Sequence, residues 1–178
     1  VTVTDLDRTT LSRHPWSIGG GGAAELKERI DAASSTRLTA ILDTVGFASF
    51  PGTDEAFVGP RTALLRSGIQ ATLVKGFVTG EVVRDWEITA REAAFAAYGV
   101  DHEPLPFDPL WNRAMWPLRT SVWSTVSFGA RTRKDNGDPW CTWYRWIPNR
   151  YRTPLSIAFA SVATHNQFVL DRGGKVFK

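Results

Sequence analysis

The residues able to do chemistry in this chain concentrate between Trp111 and Arg152. Eight basic side chains lie there (Arg113, Arg119, Arg131, Arg133, Lys134, Arg145, Arg150 and Arg152) against two acidic ones, Asp135 and Asp138. That stretch carries +6 and the remainder −3, within a net charge of +3. Six of the eight Trp residues share it: Trp111, Trp116, Trp123, Trp140, Trp143 and Trp146. Cations interleaved with aromatic rings suit a surface that meets phosphates and bases together. The same composition also fits an arginine-rich solvated face over a Trp-filled core.

Within this frame the first candidates for DNA contact are Arg131, Arg133 and Lys134, beside an expected exposed turn at 136–139. Arg150 and Arg152 flank Tyr151 in a second basic loop. Lys75 and Arg84 come from a Gly-containing middle segment, and His165, Asn166 and Gln167 form a polar tip between two apolar strands. Trp140 and Trp143, beside the basic turn, are the candidates for a wall against sugar or base. Arginine can take guanine by its two major-groove acceptors, and Asn or Gln can take adenine, each pair discriminating by about 1–3 kcal/mol.

Other chemistries fare worse. Gly19-Gly20-Gly21-Gly22 opens a helix, as phosphate loops do, but no buried strand precedes it and no Gly-Lys-Ser/Thr ending follows. It reads as a flexible joint. Asp108-Pro109-Leu110-Trp111 and Asp138-Pro139-Trp140 imitate the (Asp/Asn/Ser)-Pro-Pro-aromatic loop of amino-methyltransferases, but both lack the second Pro and read as turns. His14, His102 and His165 are far apart, and the single Cys141 cannot complete a zinc set. No nucleophile elbow supports Ser–His–Asp catalysis. Asp54 and Glu55 are adjacent, so they cannot face each other as an acid–base pair on a strand.

The elements that must position these residues fit one domain of 178 residues, 43% apolar and 22% charged. No apolar run reaches the length of a membrane span. Cys141 alone excludes an internal disulfide and suits a reducing cytoplasm. Residues 1–21 read as an arm or linker, and residues 22–178 as the domain. A helix is predicted over Ala23–Ala33, with strands from Arg37 through Phe50 and over 69–78. An alanine-rich helix is expected over 90–98, a loop over 103–109, and a helix over 110–126 kinked at Pro117. Leu155 to Ala160 reads as a strand buried on both faces. Phe168–Leu170 and a last strand after Gly174 complete an α+β fold, a mixed sheet with flanking helices. Val1-Thr2-Val3 at one end and Gly174-Lys175-Val176-Phe177-Lys178 at the other read as a piece of a larger parent.

Several segments, in order, resemble a known family. They are Arg37-Leu38 through Val45-Gly46-Phe47, then Pro51-Gly52-Thr53-Asp54-Glu55-Ala56-Phe57-Val58, and Leu73 through Trp86. Pro109-Leu110-Trp111 with Arg119, Trp140 through Tyr144, Pro154 through Phe159, and Phe168 through Asp171 follow. Together these are similar to target-recognition domains of type IIG restriction–modification enzymes and related adenine-specific DNA methylases. His14-Pro15-Trp16-Ser17 and the ending from His165 to Phe177 further resemble phage-defence methylases of BREX or DISARM type. The resemblance spans roughly residues 12–177 and implies a target-recognition-domain-like fold. It implies a domain that grips double-stranded DNA beside an adenine flipped into the catalytic domain of the same parent chain. The methylase's Pro-Pro loop and cofactor loop are missing, so no catalysis and no cofactor are expected here, with S-adenosylmethionine serving the parent. Rival readings are a protein-interaction or scaffold domain in a defence complex, a carbohydrate-binding module using Trp platforms, and a nuclease, for which no acidic cluster with a Lys is found.

Overall fold

The computed structural model describes residues 8–12, 16, 22–126, 130–153 and 155–178. The expected arm therefore lies mostly outside the described residues, as do Gly19–Gly21, His14 and Pro154. Contacts divide the chain into two compact units, Val1–Val45 and Gly46–Lys178.

The first unit holds a 3-10 turn at Arg8–Ser12, helix α1 (Ala23–Ala33) and a second 3-10 turn at Leu38–Ala40. Helix α1 has the bounds its apolar spacing predicts. Gly22 caps it in the left-handed region, with φ 83, and Glu25 sits in its positive first turn. Lys27 and Asp31 pair one turn apart at 2.9 Å, and the lysine holds the Asp31 carboxyl below its usual range. The strands expected from Arg37 do not begin there, because Leu38–Ala40 winds into a single 3-10 turn.

The second unit opens with β1 (Ser49–Phe50), the helical turn α2 (Asp54–Phe57), β2 (Val58–Gly59) and α3 (Arg61–Arg66). Strand β3 (Val74–Val78), the hairpin β4 (Val83–Arg84) and β5 (Glu87–Ile88), and strand β6 (Glu92–Phe95) follow. Helices α4 (Pro109–Met115) and α5 (Arg119–Ser124) are joined through a 3-10 turn at Trp116–Leu118, the kink expected at Pro117. Then come β7 (Arg145–Trp146), α6 (Pro148–Arg152), β8 (Ser156–Phe159), β9 (Phe168–Asp171) and β10 (Lys175–Phe177).

The main sheet has the order β10-β3-β6-β2 and is mixed: β10 runs parallel to β3, and the other pairs are antiparallel. The fold is α+β. Strand β6 corrects the alanine-rich helix expected over 90–98. Alanine favours helix only where packing is silent. Here Ala93 through Tyr98 is buried without interruption, and its small side chains make room for large rings. Trp143 uses that room, donating Nε1–H to the Phe95 carbonyl at 2.9 Å and its backbone N–H to Tyr98 Oη at 2.8 Å. Phe57, Phe95, Trp111, Met115 and Val122 complete the core.

A second correction concerns β8. It was expected to be buried on both faces, yet it pairs with β9 in a two-stranded ribbon, and Ile157 is 40% exposed. Ser156 and Ala158 are its half-buried positions, while Ile157 and Phe159 face outward. An apolar residue on every outward position hid the two-residue alternation.

Candidate nucleic-acid interface

Hairpin β4–β5 pairs Val83 with Ile88 and Arg84 with Glu87, leaving a loop of only two residues. Asp85 and Trp86 close it with φ of 51 and 66, both left-handed. This is the turn that matches the right-handed twist of two strands, and it normally recruits Asn-Gly. A bulky side chain there costs about 1–2 kcal/mol. Trp86 accepts that strain while standing 77% exposed at the tip. Beside it Arg84 donates from Nη1 to the carbonyls of Gly80 at 2.6 Å and Val83 at 2.7 Å, which fixes its guanidinium over the hairpin base.

The segment between β8 and β9 reaches the same place. Gln167 Oε1 accepts the Asp85 backbone N–H, and both hairpin strands lie along β9. His165 and Asn166 are exposed on this segment, with His165 Nδ1 3.0 Å from Thr164 Oγ1. The structure thus joins Arg84 and residues 165–167, which are far apart in the chain. Trp86 is the residue that composition alone missed. Its signal was present as a two-residue gap between Val83-Arg84 and Glu87-Ile88.

The basic turn divides its candidates. Arg131 and Lys134 are exposed, and Thr132 donates from N and Oγ1 to Asp135 Oδ2, holding that carboxyl below its usual range. Arg133 is only 2% exposed and corrects the expectation of an exposed contact. The tight winding over 133–137 turns it inward, where Nη2 donates to the Pro139 carbonyl at 3.0 Å and to Thr142 Oγ1 at 2.8 Å. Burial pulls its pKa down, with Asp138 opposing. Trp140 and Trp143 are core residues, so neither forms the wall expected of it. Arg119 stacks on Trp116, with Cζ 4.1 Å from the ring centre.

The remaining candidates are structurally committed. Arg152 donates to Glu103 at 2.6 Å and to the Asp101 carbonyl at 3.0 Å. Arg150, on α6, lies against Gly46. Lys75 sits half-buried in mid-sheet on β3, opposite Ala94. Between the two arginines, Tyr151 closes a ring of three hydrogen bonds. Phe177 N–H donates to Tyr151 Oη at 3.1 Å, and Ser49 donates to the Phe177 carbonyl at 2.5 Å. Ser49 has one proton, so the 2.7 Å contact between Tyr151 and Ser49 is donated by tyrosine. Tyr151 also stacks at 4.2 Å on Trp146, whose other face meets Tyr98 at 3.8 Å.

The Asp108 segment is not the turn expected of it but the start of a helix. Asp108 caps α4, its Oδ1 accepting Leu110 N–H at 2.7 Å, with Pro109 in the first turn. Among the described residues no three of His, Cys, Asp and Glu gather as a metal set. Among the same residues no helix is long and apolar enough to cross a membrane.

No family model matches the chain. Over nearly its whole length it is similar to part of an adenine-specific methyltransferase. That relative is "Adenine-specific methyltransferase PglX" of Streptomyces coelicolor (strain ATCC BAA-471 / A3(2) / M145), 35% identical over 180 residues. The match takes in 99% of this chain and 15% of the relative, so the chain spans about one seventh of the protein it resembles.

Proposed function

We propose that this chain is the DNA target-recognition part of an adenine-specific DNA methyltransferase in a restriction–modification or phage-defence system, and that it has no catalysis of its own. The observation that carries the reading is the joined tip: an exposed Trp86 on a strained turn, Arg84 beside it, and the polar segment 165–167 tied to the turn by Gln167. Trp86 stacks on sugar or base, Arg84 and Asn166 read base edges, and Arg131 with Lys134 holds phosphate. Likeness to a methyltransferase over 99% of the chain supports this role.

S-adenosylmethionine and the methyl-transfer chemistry belong to a catalytic domain elsewhere in the parent, working in the cytoplasm. Asp108 supports that division. Its two oxygens already accept Leu110 N–H and Gln70 Nε2–H, so the methylase-like segment here is a helix cap rather than an amino-group loop.

A scaffold role has one observation in its favour. Ile157, Phe159, Phe168 and Leu170 form exposed cross-strand pairs on the outer face of β8–β9, a surface suited to another domain of the parent. Backbone amide shifts on adding duplex DNA separate the two. DNA recognition expects shifts at 84–86, 131–134 and 165–167, whereas a pure scaffold leaves all three unmoved.

A further inference from the structure

Trp116, Arg119 and Trp123 are three and four residues apart, the spacing that brings side chains to one face of a helix. The 3-10 turn at Trp116–Leu118 and α5 follow each other without a break, so the spacing holds. Arg119 Cζ lies 4.1 Å from the Trp116 ring centre and 5.4 Å from that of Trp123. A guanidinium set against aromatic rings keeps its N–H edge as a ready-oriented fork. Among the described residues no acceptor takes those N–H groups. Arg119 is half-buried and Trp116 is 51% exposed, so both can be reached from solvent.

The surroundings are cationic. The turn that carries the exposed Arg131 and Lys134 is tied to the end of α5. Lys134 N–H donates to the Trp123 carbonyl at 3.3 Å, and Arg133 N–H donates to the Thr125 carbonyl at 3.1 Å. Trp123 Nε1–H donates to the Asp138 carbonyl at 3.2 Å. No acidic residue occurs from Pro109 to Val126, where Arg113 is also exposed. The two carboxylates of the turn are engaged: Asp135 accepts from Thr132, and Asp138 offsets the buried Arg133 charge. An open ring, an unpaired fork and cations on the adjoining turn suit a ligand that joins a π-face to phosphate. A neutral glycan uses the ring but not the fork, and an acidic peptide uses the fork but not the ring.

We propose that Trp116 and Arg119 bind an unpaired strand of DNA. A base stacks on Trp116, the adjoining phosphate takes the Arg119 fork, and Arg131 and Lys134 follow the backbone. The inference rests on the DNA-recognition reading and adds the form of DNA met at this surface. A duplex hides the faces of its bases in the stack, whereas an unpaired strand offers base and phosphate together.

The experiment adds a short labelled oligothymidylate, alone or annealed to its complement, to the full chain. Binding is read by anisotropy and by the Trp116 indole N–H resonance, assigned with Trp116→Ala. The single strand is expected to move that resonance saturably, and the annealed form to leave it in place. Trp116→Ala should weaken single-strand binding about five- to a hundredfold and leave duplex affinity unchanged. Arg119→Lys keeps the charge but loses the fork, so it should melt like the parent and bind the single strand about tenfold more weakly. A duplex that binds while the single strand leaves Trp116 unmoved would overturn this inference and spare the DNA-recognition reading. Binding of neither form would overturn both. An equal Trp116 shift with the duplex, or single-strand affinity unchanged in both variants, would also overturn the inference.

Discussion

Arg133 and Tyr151 show how much a polar side chain inside this protein does for its neighbours. Arg133→Ala withdraws two donated hydrogen bonds from Pro139 and Thr142 and opens a void where a 2% exposed side chain stood. The expected cost is about 2–4 kcal/mol, seen as a lowered urea midpoint, with DNA affinity per folded molecule unchanged. A surface contact would behave in the opposite way. Tyr151→Phe breaks the ring through Ser49 and Phe177 and should cost about 1–3 kcal/mol at neutral pH. It also changes the alkaline limb of stability. Burial pushes the Tyr151 hydroxyl from 10.0 up to about 12. Its contribution is therefore complete below pH 10 and is lost as pH rises towards 12. Urea midpoints measured across that window should fall less steeply in Tyr151→Phe than in the parent. The residual slope comes from Tyr98 and Cys141, whose hydroxyl and thiol pKa values burial also raises.

Elements were legible in the sequence where local chemistry decides them. Gly22, the apolar spacing after it and Glu25 give α1 its bounds, and Pro117 marks the join of α4 and α5. They were illegible where tertiary packing decides. Residues 90–98 have the composition of a helix, yet Glu92–Phe95 is a strand and Ala96–Ala97 runs on as loop, packed with Trp143 in the core. Residues 155–160 have the composition of a buried strand, yet only one side of β8 is covered. The candidate interface divides in the same way. Basic residues could be found by type, but their exposure could not, and Arg133 differs from Arg131 only in which way one turn points it. Hairpin β4–β5 yields the prediction proper to this scale. Trp86→Gly puts the residue the turn prefers at φ 66 and should stabilise the protein by about 1 kcal/mol, raising Tm by about 2–4 °C. The same change should weaken DNA binding by the about 1–3 kcal/mol that a stacked ring supplies. A melt and a titration on one variant read both signs, and a gain in stability with undiminished affinity would remove Trp86 from the interface.

At the scale of the whole molecule, a modest net charge of +3 conceals a strongly uneven distribution along the chain, and the proposed DNA role draws on that unevenness. Counterion release makes the proposal measurable. Duplex DNA should be titrated at two salt concentrations with the parent and with a variant carrying Arg84→Ala, Arg131→Ala and Lys134→Ala, all exposed positions whose loss leaves the core intact. The parent is expected to bind with Kd of about 10⁻⁴–10⁻⁶ M, and log K should fall by about 0.9 for each phosphate neutralised as log salt rises. The variant should bind more weakly, with a slope flatter by about 0.9 for each cation that was in contact. Equal affinities for both proteins at both salts, or no duplex binding by the parent, would contradict a DNA-recognition role for this chain.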